Sequence, residues 1–170
     1  MKLISSLLLI LSFSMVSSSI GLAKEIKYNH NSMTIDEVKK EVNFNVLVPE
    51  KIPEDWSLEI KTYDYKDKNI RDITLHYMDS NDEFLMLGIN ERKVSKIEIR
   101  QLEEEISNEI KINVNDVKAY YKEWANSGKK LNGNRIDGGL ITWIQGDTYV
   151  EMDSSILSKD EMVEIARSVR

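Results

Sequence analysis

The two histidines of this chain are its candidates for a general base near neutral pH. A hydroxyl nucleophile needs such a base within hydrogen-bonding distance. His30 lies in a polar stretch, whereas His76 lies between Leu75 and Tyr77 in a predicted strand. Because side chains alternate along a strand, His76 is expected to point away from these two neighbours as an ordinary polar residue. The histidines therefore predict no catalytic residue.

The acidic residues are numerous, and their spacing favours turns and solvated faces over a reaction centre. Asp79, Asp82 and Glu83 could gather oxygens around calcium, but the glycine and terminal glutamate spacing of an EF-hand loop is missing. A hairpin turn explains the same three residues. The acidic run over residues 103–105 is typical of an exposed helix face. Since no glycine-rich phosphate loop occurs either, the sequence predicts no metal site and no cofactor.

Aromatic residues are the candidates for binding an apolar ligand, because they supply a large contact area with few rotatable bonds. The candidate lining residues are Trp56, Tyr63, Tyr77, Tyr120, Trp124 and Trp143. Packing in the protein core is the alternative explanation for most of them.

Strands and a corner are predicted in the first half of the chain from the period-two alternation of apolar residues. The strands span residues 44–48, 56–63, 70–77 and 83–90, and a turn spans residues 79–82. The chain's two prolines, Pro49 and Pro53, follow the first strand. Because proline fixes φ and has no N–H, we expect a stiff corner there, outside any sheet interior.

Capping-box spacing predicts the first and the last helix. Thr34, with Glu37 three residues later, begins a helix over residues 35–41, and Ser158, with Glu161, begins a C-terminal helix. The predicted buried side of the last helix comprises Leu157, Met162, Ile165, Ala166 and Val169. Residues 95–108 fit both a strand and a helix, and their three- and four-residue apolar spacing leads us to favour a helix.

Two hairpins and a loop complete the predicted fold. One hairpin joins residues 110–114 to 117–124, and the other joins 140–143 to 148–152 through Gly146. Residues 126–139 are rich in glycine and asparagine and are predicted to form a loop. These elements predict an α+β fold: an antiparallel β-sheet, flat or curved, with helices packed on one face, including the C-terminal helix.

The N-terminus is built like a secretory signal. Lys2 precedes an uncharged run over residues 3–23 with an apolar centre, and the small residues Gly21 and Ala23 suit the pocket of a signal peptidase. We predict a signal peptide over residues 1–23, a flexible leader over 24–33 and one domain over 34–170. The alternative is an uncleaved N-terminal anchor, which would be the protein's contact with the membrane.

Composition excludes several classes of function. Removing residues 1–23 takes Lys2 from the 23 basic residues and none of the 29 acidic ones, so the net charge changes from −6 to −7. An acidic surface disfavours nucleic acid as a partner. The chain contains no cysteine, so disulfides, thiolate chemistry and cysteine zinc sites are excluded, and stability must come from packing.

Two stretches resemble a domain-of-unknown-function family common in bacilli. Residues 44–58 resemble its opening motif, in which an apolar strand ends at one proline and a second proline introduces the next strand. Residues 140–149, with 157–168, resemble its closing tryptophan hairpin, glycine turn and final helix. The resemblance implies a secreted protein, a lipoprotein or the outer domain of an anti-sigma-like protein, similar in outline to curved sheets that sense envelope lipids. It implies no catalytic residues.

Two functional hypotheses follow. The leading hypothesis is an exported, extracellular or cell-envelope module without enzymatic activity, monomeric, that binds an apolar ligand or an envelope protein. The alternative is an exported hydrolase acting on cell-wall or polysaccharide material, which rests on the abundance of acids and on the predicted compartment alone.

Export gives the first testable prediction. When the whole chain is expressed in a bacterial host, we expect the mature protein outside the cytoplasm with Lys24 as its first residue, because the small side chains before it suit signal peptidase. Mass spectrometry of the secreted fraction measures this N-terminus. Recovery of the chain from the cytosol with residues 1–23 attached would contradict the prediction.

Overall fold

The computed structural model describes residues 25–64, 69–105, 110–115, 117–123, 130–131, 134–135 and 138–170. The predicted signal peptide and Trp124 lie outside these residues. Within them, the chain forms a seven-stranded antiparallel sheet, a separate two-stranded pair and three helices, which confirms the predicted α+β fold. No helix in this part of the chain is long and apolar enough to span a bilayer.

The elements are as follows. The helices are α1 (Ile35–Glu41), α2 (Lys96–Glu105) and α3 (Lys159–Ala166). The strands are β1 (Ser57–Asp64), β2 (Ile70–Met78), β3 (Leu85–Lys93), β4 (Ile110–Val114), β5 (Val117–Glu123), β6 (Lys130–Leu131), β7 (Asn134–Arg135), β8 (Gly139–Gln145) and β9 (Thr148–Ser154). The large sheet has the order β1-β2-β3-β9-β8-β5-β4. Because β9 pairs with both β3 and β8, it joins the N-terminal and C-terminal meanders at the centre of the sheet.

One face of the large sheet carries the hydrophobic core. Its alternate residues are almost completely buried, including Leu75, Ile89, Ile141, Trp143 and Met152. Helices α1 and α3 contribute apolar side chains to the same cluster. The five residues predicted as the buried side of the last helix are all buried, so that prediction is confirmed: they are Leu157, Met162, Ile165, Ala166 and Val169.

Capping boxes begin the helices as the spacing predicts. The Thr34 hydroxyl accepts from the Glu37 amide, and the Glu37 carboxylate accepts from the Thr34 amide at 2.7 Å. Ser158 and Glu161 make the same reciprocal pair at α3. The favoured helix over residues 95–108 is confirmed over Lys96–Glu105, and the rest of that range lies outside the described residues.

Both predicted hairpins are confirmed, and the predicted loop between them is partly wrong. The turn of the second hairpin has Gly146 at a φ of +66°, a conformation that favours glycine. Within residues 126–139, β6 pairs with β7, and Gly139 begins β8. A Cβ at Gly139 would lie 2.4 Å from the Tyr121 ring, so this glycine allows close packing inside a strand.

The strand predicted over residues 44–48 is wrong. Phe44, Val46 and Leu47 are buried in the core cluster, but the segment pairs with no strand of the sheet. The Leu47 amide instead donates to the Glu91 carboxylate at 3.0 Å, and the Thr148 hydroxyl donates to the Asn45 carbonyl at 2.8 Å. Side chains of the sheet therefore replace a backbone ladder. We call residues 44–56 the proline strap.

The C-terminal tail holds the second part of the proline strap. Val48 and Arg170 exchange two backbone hydrogen bonds of 2.9 and 3.1 Å. The Glu50 amide donates to the Ser168 carbonyl at 3.0 Å, and the Lys51 amide donates to the Ser168 hydroxyl at 3.0 Å. The stiff corner between the prolines is thus fixed by residues at the opposite end of the chain.

The segment predicted as a flexible leader contacts the sheet edge. The Leu58 amide donates to the Lys27 carbonyl at 2.8 Å, and the Ile60 amide donates to the Ser32 hydroxyl at 2.6 Å. The His30 ring lies 2.9 Å from the Asp82 carboxylate. Residues 27–32 therefore belong to the fold, because an edge strand offers unpaired amides to any polar segment that can reach them.

Glu91 is a fully buried acid on the core face of β3. Burial raises the pKa of its carboxyl to about 8, against the opposing effects of the Leu47 amide and Lys39. Between pH 4.5 and about 8, the folded protein thus holds a proton that the unfolded chain has released. The free energy of unfolding consequently falls as the pH rises through this range.

Replacing this acid tests the effect. Glu91→Gln keeps an oxygen for the Leu47 amide and cannot ionise, so the wild type should lose stability relative to the variant by about 1.4 kcal/mol per pH unit. Urea unfolding between about pH 5 and pH 8 measures the difference. The control is Glu123→Gln, an exposed site on β5, which should keep the wild-type slope. Equal slopes for Glu91→Gln and the wild type would contradict the prediction.

Candidate functional site

An apolar cavity of about 390 Å³ lies between the proline strap, residues 25–27 and the β1–β2 end of the sheet. We call it the strap cavity. Its apolar walls comprise Ile26, Val48, Pro49, Ile52, Pro53, Trp56, Leu58 and Tyr77, and its charged walls comprise Glu25, Lys27, Glu50 and Glu54. Apolar walls of this size with few polar groups are typical of small-molecule sites.

A second cavity of about 410 Å³ lies on the α3 side of the proline strap. We call it the helix cavity. Its walls comprise Lys51, Pro53, Trp56, Met86, Ile156, Leu157, Glu161, Glu164 and Ile165. Pro53 and Trp56 thus belong to the walls of both cavities, so the indole ring is the feature that the two cavities share.

Local backbone geometry places Trp56 at this position. Its amide donates to the Pro53 carbonyl at 3.3 Å, which closes a turn just before β1 begins at Ser57. The ring is half-buried and packs against the core cluster. Trp56 is therefore anchored on one side and available to a ligand on the other.

Tyr77 contributes a buried hydroxyl group to the wall of the strap cavity. It lies on β2 opposite Leu58 and Leu87, and only 4% of its surface is exposed. Its hydroxyl has no hydrogen-bond partner among the described residues. Burial, with a further contribution from Glu91, raises the pKa of this phenol well above its usual range. The hydroxyl therefore stays protonated and can donate to a ligand.

Two of the six candidate aromatic residues, Trp56 and Tyr77, meet in the strap cavity. Trp143 is fully buried in the core, and its indole nitrogen donates to Gln145 at 3.4 Å. Tyr120 is buried on the opposite face of β5 from Tyr121, whereas Tyr63 is 53% exposed on β1. These three residues line neither of the two cavities, and Trp124 lies outside the described residues.

Sequence reasoning missed the aliphatic and proline walls. Ile26 and Ile52 gave no periodic signal, and the proline pair indicated a corner without indicating what the corner encloses. The contacts that assemble these walls join residues far apart in the chain, as in the bond between Lys51 and Ser168. Local patterns carry no information about such a pairing.

A polar cleft of about 640 Å³ lies at the far end of the sheet, where Arg71, Arg92 and Lys93 meet Asp72 and Glu98. The Arg92 guanidinium lies 3.2 Å from the Glu98 carboxylate and 4.9 Å from the centre of the Tyr149 ring. Lys93 lies 3.6 Å from Asp147. These cations already have partners within the protein, which makes the cleft a weak candidate for an anion site.

Glu151, Asp153 and His76 on the open sheet face lie outside the three cavities. Burial, and next the neighbouring Glu151, raise the pKa of Asp153 to about 6. Burial, and next Lys61, lower the pKa of His76, while Glu59 opposes them.

The hydrolase alternative needs two acids in one cleft. Asp72 and Glu98 share the polar cleft, and Glu161 and Glu164 share the helix cavity. Glu98 is paired with Arg92 and Glu161 caps α3, so one acid of each pair is already engaged by the fold.

The acidic turn between β2 and β3 is confirmed. The Asp79 carboxylate accepts from the amides of Glu83 at 2.7 Å and Phe84 at 3.0 Å, which lowers the pKa of Asp79. The Asp82 carboxylate lies 2.9 Å from the His30 ring. In the part of the chain that the structure describes, no three His, Asp or Glu side chains are grouped to hold a metal ion.

Comparison with known proteins identifies one related family. A family model described as a domain of unknown function, DUF4367, matches residues 46–169. The match begins inside the proline strap and ends at Val169, so it includes the strap contacts with Ser168 and all of the large sheet. No curated protein and no solved structure matches the chain.

The unpartnered Tyr77 hydroxyl gives a prediction about stability. A buried hydroxyl without a partner costs about 1–3 kcal/mol, so Tyr77→Phe should raise the free energy of unfolding by roughly 1 kcal/mol. The matched control is Tyr28→Phe, because the Tyr28 hydroxyl accepts from the Ile35 amide at 3.0 Å and its removal should destabilise the fold. Urea unfolding compares the two variants. A loss of stability in Tyr77→Phe would show that its hydroxyl serves the fold instead of a ligand.

Proposed function

Since the chain belongs to the DUF4367 family, whose description names no activity, we propose its function from its own geometry: an exported module of the cell envelope, without enzymatic activity, that binds an apolar ligand in the strap cavity. The observation that carries the proposal is the combination of apolar walls with one buried, unpartnered hydroxyl at Tyr77. Both features disfavour an empty cavity and favour an occupied one.

Apolar surface supports the proposal first. Ile52, Trp56 and Val48 are only partly buried, and they pack on the core while facing the strap cavity. Contiguous apolar surface of this kind costs free energy in water, at about 25 cal/mol per Å². A ligand that covers it recovers that free energy, which is why such patches mark binding sites.

Rigidity of the proline strap supports the proposal next. The strap is held by Glu91 at Leu47, by Arg170 at Val48 and by Ser168 at Glu50. These bonds fix the cavity walls before any ligand arrives. A preformed site orders few groups on binding, so more of the contact free energy appears as affinity.

The chemistry of the cavity supports binding over catalysis. Tyr77 is a hydrogen-bond donor whose raised pKa prevents it from acting as a base near neutral pH. The charged wall residues Glu50 and Glu54 are exposed to solvent. The candidate base His76 and the two acids with raised pKa values, Glu91 and Asp153, lie outside the walls of the cavity.

The N-terminal sequence supports export. The uncharged run over residues 3–23, with small residues before Lys24, has the pattern of a signal peptide. A chain without cysteine is insensitive to an oxidising exterior. A ligand site facing the exterior would meet apolar molecules of the envelope.

Removal of the shared indole ring tests the proposal. N-phenyl-naphthylamine is a neutral probe that fluoresces in apolar surroundings, and we expect it to bind the wild type. Trp56→Ala should weaken its binding by roughly tenfold, because the loss of a large aromatic contact is worth at least about 1.4 kcal/mol. Fluorescence titration gives the two dissociation constants.

Tyr63→Ala is the matched aromatic control, because Tyr63 is 53% exposed on β1 and does not line either cavity. It should bind the probe as the wild type does. Absence of binding by the wild type, or an equal loss in Tyr63→Ala, would overturn the proposed function. Urea unfolding of both variants shows that each is folded at the titration temperature.

A further inference from the structure

Carboxylates without ion-pair partners line the two cavities that share the Trp56 ring. Glu54 lies in the wall of the strap cavity and Glu164 in the wall of the helix cavity, and both are exposed. Neither has an ion-pair partner among the described residues, whereas Glu50 lies 3.4 Å from Arg170. The two cavities therefore each present an acid whose charge the protein does not neutralise.

The charge balance of the cavity walls is negative. The strap and helix cavities together are lined by five glutamates and two lysines: Glu25, Glu50, Glu54, Glu161, Glu164, Lys27 and Lys51. A negative rim attracts cations and repels anions at the same site. The walls thus disfavour a fatty acid or another anionic amphiphile.

The indole ring of Trp56 also favours a positively charged ligand. A cation within about 6 Å of an aromatic ring is attracted to its face, and tryptophan is the best of the three aromatic residues for this contact. Trp56 is half-buried and lines both cavities. It can pack against an apolar body and a positive group of one ligand.

Tyr77 provides an independent indication that the strap cavity holds a ligand. Only 4% of its surface is exposed, it lines the cavity, and its hydroxyl has no partner among the described residues. A protonated phenol satisfies this need by donating to an oxygen of the ligand. An ether or carbonyl oxygen within an otherwise apolar body fits that role.

We infer that the ligand is a cationic amphiphile, an inference that rests on the proposed function. Its apolar body lies in the strap cavity against Tyr77, and its positive group lies against Trp56, attracted by Glu54 and Glu164. A primary or quaternary ammonium group has the required chemistry.

Three amphiphiles with the same alkyl chain test the inference. They are dodecyltrimethylammonium, dodecyl maltoside and dodecyl sulfate, each titrated into the exported protein below its micelle concentration by calorimetry. The cationic probe should bind about tenfold more tightly than the anionic one, with the neutral probe between them. Added salt should reduce the difference, because exposed charges are screened.

Two charge variants and a control locate the effect. Glu54→Gln and Glu164→Gln should each weaken binding of dodecyltrimethylammonium severalfold and leave dodecyl maltoside unchanged. Glu123→Gln removes the same charge from β5 and should change neither probe. Equal weakening in Glu123→Gln would show that net charge alone attracts the cation and would overturn the inference.

The remaining outcomes separate the inference from the proposed function. Two outcomes would overturn the cationic ligand and leave the binding function standing. One is tighter binding of dodecyl sulfate than of dodecyltrimethylammonium. The other is equal affinity for all three probes, with weaker binding of each by Trp56→Ala. Failure of all three probes to bind the wild type would overturn both.

Discussion

The structure depends on how the amides of the proline strap are satisfied. Buried backbone N–H groups must have partners, yet residues 44–56 lie outside the sheet and include two prolines that interrupt any ladder. Glu91 and the C-terminal tail supply the missing partners. Because these bonds hold the strap away from β1 and β2, an apolar cavity exists between them.

This arrangement links stability to the proposed site. A fully buried carboxyl at Glu91 is a costly way to satisfy one amide, since burial opposes its ionised form. The unpartnered hydroxyl of Tyr77 on the adjacent strand is a second cost. Costs of this kind concentrate where function restrains the optimisation of a fold. The proline strap, its anchors and the cavity therefore form one unit.

Much of the fold could be predicted from local signals. Capping boxes at Thr34 and Ser158 located two helices, and period-two alternation located β1, β2 and the two later hairpins. The same alternation failed over residues 44–48, because it records which side chains are buried and not which backbone partner is present. The hydrogen-bond partners were unpredictable, since they lie far apart in the chain: Leu47 and Glu91 are 44 positions apart, and Lys51 and Ser168 are 117 positions apart.

The candidate site was predictable only in its aromatic part, since aromatic type alone does not distinguish Trp56 from the core residue Trp143. The most direct test of the strap cavity is solution NMR with dodecyl maltoside, a probe that carries no charge. Nuclear Overhauser effects should connect its alkyl protons to the rings of Trp56 and Tyr77. Effects to the exposed side chains of Tyr63 and Ile97 instead, or to no residue, would contradict a ligand site beneath the proline strap.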